Sequence, residues 1–223
     1  IPSLTQALLL DSDNSDTYYY LGKTHFETGK IIQAKEALNR AIKIDPQNGA
    51  AYYPLGIIYE NIMEIDKAVN AYTKAREYSS EIEAVLYQMG MLLYRTGELK
   101  EAMEPLREFI ILQPDSVHVL EALGEIFLAE NRYPEAIDTY RRLQRIYPER
   151  LEINLALAKS FWQLKKYEEA KNVYQEILLF DDENYEVMIQ LGDILNELGD
   201  YKEAVQNYIA AMQCTSSTMK IYY

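Results

Sequence analysis

The sequence predicts an all-α fold, a solenoid of six antiparallel helix pairs with a partial pair at each end. Three observations carry that prediction. A 34-residue period runs through residues 15–218 without an insertion: Leu21-Gly22 returns as Leu55-Gly56, Met89-Gly90, Leu123-Gly124, Leu157-Ala158 and Leu191-Gly192. An alanine stands twelve residues after each small residue, at Ala34, Ala68, Ala102, Ala136, Ala170 and Ala204. Four further on come Leu38, Tyr72, Leu106, Tyr140, Tyr174 and Tyr208. A repeat of this length is one supersecondary unit that can bury its apolar face only against its neighbours.

Taken in order, residues 1–14 are expected to be the second helix of a truncated preceding repeat, with Leu4 and Ala7 at its apolar places. Six repeats follow, at 15–48, 49–82, 83–116, 117–150, 151–184 and 185–218. Residues 219–223 are expected to start a further helix, with Tyr222 where Tyr18 and Tyr52 stand, so the chain reads as a segment of a longer array. Within each repeat the first helix carries large apolar residues three and four apart, as in Leu120, Leu123 and Phe127. Gly29, Gly97, Asn131 and Gly199 then share one place, suited to the left-handed turn that ends a helix. The second helix carries stripes such as Ala136, Tyr140 and Leu143, with Pro134 at its first turn. Pro46, Pro114 and Pro148 follow its end, whereas Pro54 and Pro105 fall inside helices and predict a bend or a delayed start. The small residue of the first helix lets the paired helices approach closely, and only Gly49 lies outside these two kinds of glycine place.

Other chemistry falls away residue by residue. Gly22-Lys23-Thr24 has the end of a phosphate-binding loop, but Thr17 stands where its first glycine belongs. Asp11 to Asp16 (DSDNSD) has the oxygen-rich start of a calcium loop, yet Asp16 replaces the turn glycine and Gly22 the bidentate acid. That segment and Phe180 to Asn184 (FDDEN) read as turns that cap the next helix. His25, expected buried and hydrogen-bonded, and His118 lie in different repeats and share no nucleophile. Cys214 is the single cysteine, so neither an internal disulfide nor a cysteine zinc cluster can form. Glu168 and Glu169 are adjacent on a helix and do not face one another. No catalytic residue, cofactor or metal is expected. A net charge of −13 opposes nucleic-acid binding and anionic membranes alike. No apolar run is long enough to span a bilayer, and a cytoplasmic location is expected.

The pattern of an aromatic, Leu-Gly beginning three residues after it, then A-x₃-F/Y and a closing proline resembles the tetratricopeptide repeat (TPR). Ala158 departs from it at the glycine, His25 at an aromatic, and Ser80, Asp182 and Ser216 at the proline. The resemblance implies a right-handed stack whose first helices line a concave groove that binds protein segments. It also implies candidate partner-binding residues. In the first three repeats these are Tyr19, Tyr20, Lys23, Phe26, Tyr53, Ile57, Tyr87, Met91 and Tyr94; in the last three they are Glu121, Glu125, Trp162, Glu186 and Asp193. At equivalent places the first half has Asp16, Glu27 and Glu60 against Lys23 and Arg95, net −1. The second has Glu121, Glu125, Glu152, Glu186, Asp193 and Glu197 against Lys159, net −5.

An aromatic half followed by an acidic half suits a partner with apolar and basic residues. Tyrosines that only pack between repeats, and acids that only keep a surface solvated, account for the same residues. Some family members clamp a terminal carboxylate with basic side chains; the matching places here hold Tyr19, Lys23, Pro54, Ala84 and Gln88. A groove ladder of asparagines, as in a sugar-transferring relative, is absent too, with Tyr20, Pro54, Gln88, Ala122, Ala156 and Gln190 in its place. The expected function is a non-catalytic interaction scaffold. Self-assembly, or service as the regulatory arm of an enzyme whose catalytic domain lies elsewhere, are the alternatives.

Overall fold

A computed structural model describes residues 13–79 and 82–221, with side chains placed as far as Cys214. The preceding-repeat reading of residues 1–12, and Tyr222, lie outside the described residues. The chain divides into two compact units, Ile1–Pro114 and Asp115–Tyr223, each built of helix hairpins. The amino-terminal unit holds α1 (Ser15–Glu27), α2 (Ile31–Ile44), α3 (Gly49–Asn61), α4 (Ile65–Tyr78), α5 (Ile82–Thr96) and α6 (Leu99–Leu112). The carboxy-terminal unit holds α7 (Val117–Ala129), α8 (Tyr133–Ile146), α9 (Leu151–Gln163), α10 (Tyr167–Phe180), α11 (Tyr185–Leu198) and α12 (Tyr201–Ile221). Among the described residues there is no strand.

Each hairpin closes in the same way. The first helix ends in a residue with positive φ, and the next backbone N–H reaches back five residues, as from Lys30 to the His25 carbonyl (2.8 Å) and from Arg132 to that of Phe127 (2.7 Å). This double cap satisfies carbonyls that a helix end leaves unpaired. Gly29, Gly97 and Gly199 take the left-handed conformation at 74°, 87° and 87°. Asn131 takes it at 57°, but so do Met63 at 60° and Lys165 at 57°, which the sequence reading did not place there. The geometry is thus set by the hairpin, and two side chains accept a conformation that costs an L-residue about 1–2 kcal/mol.

The core clusters join one hairpin to the next: Ala34, Leu38 and Ala41 of α2 meet Ala51, Leu55 and Ile58 of α3, and Ala68, Tyr72 and Ala75 of α4 meet Val85 and Leu92 of α5. Each repeat alanine is buried, and the first-helix glycine of every repeat but the fifth, which has Ala158, faces the residue sixteen places on: a Cβ on Gly22 would stand 2.7 Å from Leu38 Cγ. A Cβ on Gly56 would stand 2.5 Å from the Tyr72 ring. Gly22 is therefore a packing residue. Gly49, unexplained by the period, meets backbone instead, since a Cβ there would be 2.4 Å from Tyr78 C and Ser79 N.

Three details differ from the sequence reading. Pro54 and Pro105 lie inside α3 and α6, yet neither helix starts late. His25 is only partly buried, and its Nδ1 has no hydrogen-bond partner. Residues 219–221, expected to begin a new helix, continue α12 without a break, because no glycine or proline stands between Met212 and Ile221. The two turns read as caps supply Asn14, which accepts from the Thr17 N–H at 2.8 Å, and Asn184, which accepts from that of Val187 at 3.1 Å.

Candidate functional site

Each unit contains a cavity between consecutive first helices. In the amino-terminal unit it measures about 760 Å³ and lies between α3 and α5, closed from behind by α6. Tyr53 and Tyr87 form its walls, with Ile82, Ala84, Phe109 and Leu112 completing the apolar surface and Glu83 and Gln88 adding polar groups. The Tyr87 ring sits 5.3 Å from Phe109 and the Tyr53 ring 6.1 Å from Tyr72, both tilted, so the two tyrosines are braced by the second helices. Burial pushes the Tyr53 hydroxyl above its usual pKa, against a hydrogen bond to Gln88 that lowers it.

In the carboxy-terminal unit the cavity measures about 520 Å³, between α9 and α11, with Tyr174 of α10 at its back. Leu151, Leu155, Val187 and Ile189 are its apolar walls, and Lys159, Trp162, Glu186 and Gln190 also line it. The two cavities are equivalent in the repeat. Adding three periods, 102 residues, carries Tyr53 to Leu155, Ala84 to Glu186, Tyr87 to Ile189 and Gln88 to Gln190. The sequence reading picked Tyr53 and Tyr87 at this place but passed over Leu155 and Ile189, although the period pointed to them.

They differ in their walls and in the surroundings of the tyrosine on the intervening second helix. In the amino-terminal unit the Tyr72 hydroxyl donates to Glu60 Oε2 at 2.7 Å, and Arg95 pairs with the other oxygen of the same carboxylate. Burial, then the Glu60 bond and charge, hold the Tyr72 hydroxyl protonated far above the usual phenol range. Three periods on, Tyr174 replaces Tyr72 and Trp162 replaces Glu60. Tyr174 is 4% exposed, its pKa raised by burial and then by the Asp193 charge, and its hydroxyl makes no hydrogen bond. Trp162 stacks edge-on against Tyr167 at 5.8 Å, its indole N–H likewise unpaired.

The remaining candidates divide between packing and exposure. Tyr19 and Phe26 pack against the cluster shared by α2 and α3, and Tyr53 and Ile57 against the one shared by α4 and α5. Tyr19 and Tyr20 stack at 4.9 Å, with Tyr20 54% exposed. Lys23 is exposed, while Met91 and Tyr94 are half-buried on α5. Among the acids, Glu121 pairs with Arg150, Asp193 accepts the Tyr208 hydroxyl at 2.8 Å, and Glu186 accepts from Tyr185 at 3.3 Å. Glu125 is exposed. The structure thus gathers Tyr53 with Tyr87, and Trp162 with Glu186, into two cavities; the other candidates lie outside both.

Helix hairpins in a 34-residue frame define the class of α-helical repeat proteins. Family models of the tetratricopeptide repeat match residues 1–56 and 127–183, residues 87–150, and residues 185–213, and the chain belongs to that family. Solved structures share the fold. YrrB, a TPR protein with an unusual peptide-binding site, is 16% identical with a TM-score of 0.65, covering 83% of this chain and 95% of its own. MamA AMB-1 is 21% identical with a TM-score of 0.61, covering 75% and 92%. MamA from Desulfovibrio magneticus RS-1 is 17% identical with a TM-score of 0.56, covering 76% and 96%. No curated protein matches the chain. No helix among the described residues is long and apolar enough to cross a membrane.

Proposed function

We propose that this protein is a non-catalytic interaction scaffold that holds a partner segment against its first helices. The observation that carries the reading is the tyrosine-walled cavity of the amino-terminal unit. Two large, rigid rings, braced from behind and open on one side, bury much area at small entropic cost, as binding hot spots do. The peptide-binding site of YrrB supports the reading by fold. Tyr20, Lys23, Met91 and Tyr94 extend the contact surface of the first repeats. The acidic first helices of the carboxy-terminal unit, Glu125 and Glu186 above all, steer a basic stretch of the partner.

Truncating both walls, Tyr53→Ala/Tyr87→Ala, is expected to weaken binding by about 2 kcal/mol or more, roughly 30-fold. Parallel affinity captures with wild-type and doubly substituted bait check it, with retained proteins quantified by mass spectrometry. Equal recovery of every partner on both baits overturns the aromatic site. A second reading, self-assembly, is favoured by Val205, Ile209 and Met212, a stripe on α12 that is 54%, 50% and 69% exposed. Light scattering over a wide concentration series tests it.

A further inference from the structure

We propose that the carboxy-terminal cavity is a second peptide-anchoring site of different selectivity, taking a large aliphatic side chain of a partner and hydrogen-bonding the main-chain carbonyl beside it. It rests on the scaffold reading above. The repeat places the cavity where the tyrosine-walled one stands, between first helices, three periods further along. At the fifth place of each repeat, however, the phenol rings of Tyr53 and Tyr87 give way to Leu155 and Ile189. With Leu151 and Val187 those walls form an aliphatic surface that suits a flexible aliphatic group.

The polar groups give the second half of the recognition. Replacement of Glu60 by Trp162 removes the carboxylate that would accept the tyrosine's hydrogen bond, so Tyr174, a buried residue that lines the cavity, carries a hydroxyl with no hydrogen-bond partner in the protein. An occupant that accepts from this hydroxyl gains a hydrogen bond there. Tyr174 and Trp162 both present donors, and the amides of Gln163 and Gln190 at the edge make no hydrogen bond either. The indole N–H of Trp162 can only donate, and the acceptor every peptide carries is its carbonyl. Lys159 and Glu186 place one charge of each sign on the lining, so formal charge selects neither an acidic nor a basic anchor.

Trp162 is the single tryptophan of the chain and lines this cavity, so its emission reports occupancy directly. The probe is a positional-scanning library of acetylated, amidated octapeptides with one residue fixed, titrated into the full chain. Pools fixed at Leu, Ile or Met are expected to shift Trp162 emission saturably, and pools fixed at Asp, Lys or Arg are not. Ile189→Ala is expected to weaken the aliphatic response about tenfold or more. Tyr174→Phe is expected to weaken it severalfold while leaving the denaturation midpoint unchanged, and Tyr53→Ala/Tyr87→Ala to leave it intact.

The inference is overturned if no pool moves Trp162, if charged pools move it as well as aliphatic ones, or if Ile189→Ala and Tyr174→Phe bind like wild type. Calorimetry on the same pools separates the two proposals. Heat that is lost in Tyr53→Ala/Tyr87→Ala, with Trp162 unmoved, leaves the scaffold reading standing and removes the second site. No heat and no shift from any pool counts against both.

Discussion

Tyr72 and Tyr174 occupy the same place in the repeat and meet opposite surroundings. Tyr72 donates to Glu60, which Arg95 holds from the neighbouring repeat, so the hydroxyl is part of a closed ion network that ties two repeats together. Tyr174 meets Trp162 instead, and the result is a cavity backed by an unpaired phenol. Trp162 in place of Glu60, together with Glu197 in place of Arg95, thus leaves the Tyr174 hydroxyl without the ion network that holds Tyr72. The lesson is that the period fixes which backbone positions face the cavity, while the residue at each place decides whether polar groups there are spent or available.

The comparison breaks most strongly at the cores. Leu38→Ala and Leu157→Ala remove fully buried side chains from the two units and are each expected to cost about 2–5 kcal/mol. Circular dichroism reads both units in a urea titration, whereas Trp162 fluorescence reads the carboxy-terminal unit alone. Leu157→Ala is expected to move both signals, and Leu38→Ala to move the dichroism much more than the fluorescence. Coincident, equal shifts in both variants would show the two units unfolding as one.

The hydroxyls come next. Tyr72→Phe is expected to cost about 1.5–3 kcal/mol, the usual value of a hydrogen bond to a charged group, while Tyr174→Phe costs nothing measurable. A pH dependence accompanies them. The folded pKa of Tyr72 lies above its unfolded value, so folding favours the protonated phenol; its contribution is complete below about pH 10 and declines as pH rises beyond that. Tyr72→Phe should therefore flatten the alkaline limb of the stability profile, measured by urea midpoints between pH 8 and 11. An unchanged limb would mean that other buried phenols, Tyr53 or Tyr174, control it.

The smallest effects are at the hairpin turns. Gly97→Ala in the amino-terminal unit is expected to lose about 1 kcal/mol, since φ at 87° disfavours a Cβ. Lys165→Gly in the carboxy-terminal unit relieves the same strain and is expected to gain up to about 1 kcal/mol, less the added freedom of the unfolded chain. A loss in both variants would mean that Lys165 makes compensating contacts in its turn.

Much of this molecule is legible without coordinates. Six alanines, six small first-helix residues and the large residues opposite them give the hairpins, because two helices can touch closely only where one side chain is absent and the other fills the gap. The period also locates the amino-terminal cavity, since Tyr53 and Tyr87 share one place on successive first helices. What it does not give is the fate of each polar group. Whether Asp193 points to solvent or accepts a hydrogen bond from the Tyr208 hydroxyl, and whether Glu121 stands free or meets Arg150, depends on side chains 15 and 29 residues away. Met63 and Lys165 in left-handed turns are invisible for a related reason, because the hairpin's own hydrogen bonds impose that conformation over local preference. The sequence alone determined the fold, through a repeated steric fit between neighbouring helices. Only the tertiary structure decided which of its equivalent places are filled by internal bonds and which remain open to a partner, because hydrogen bonds and ion pairs depend on distances that no spacing rule specifies.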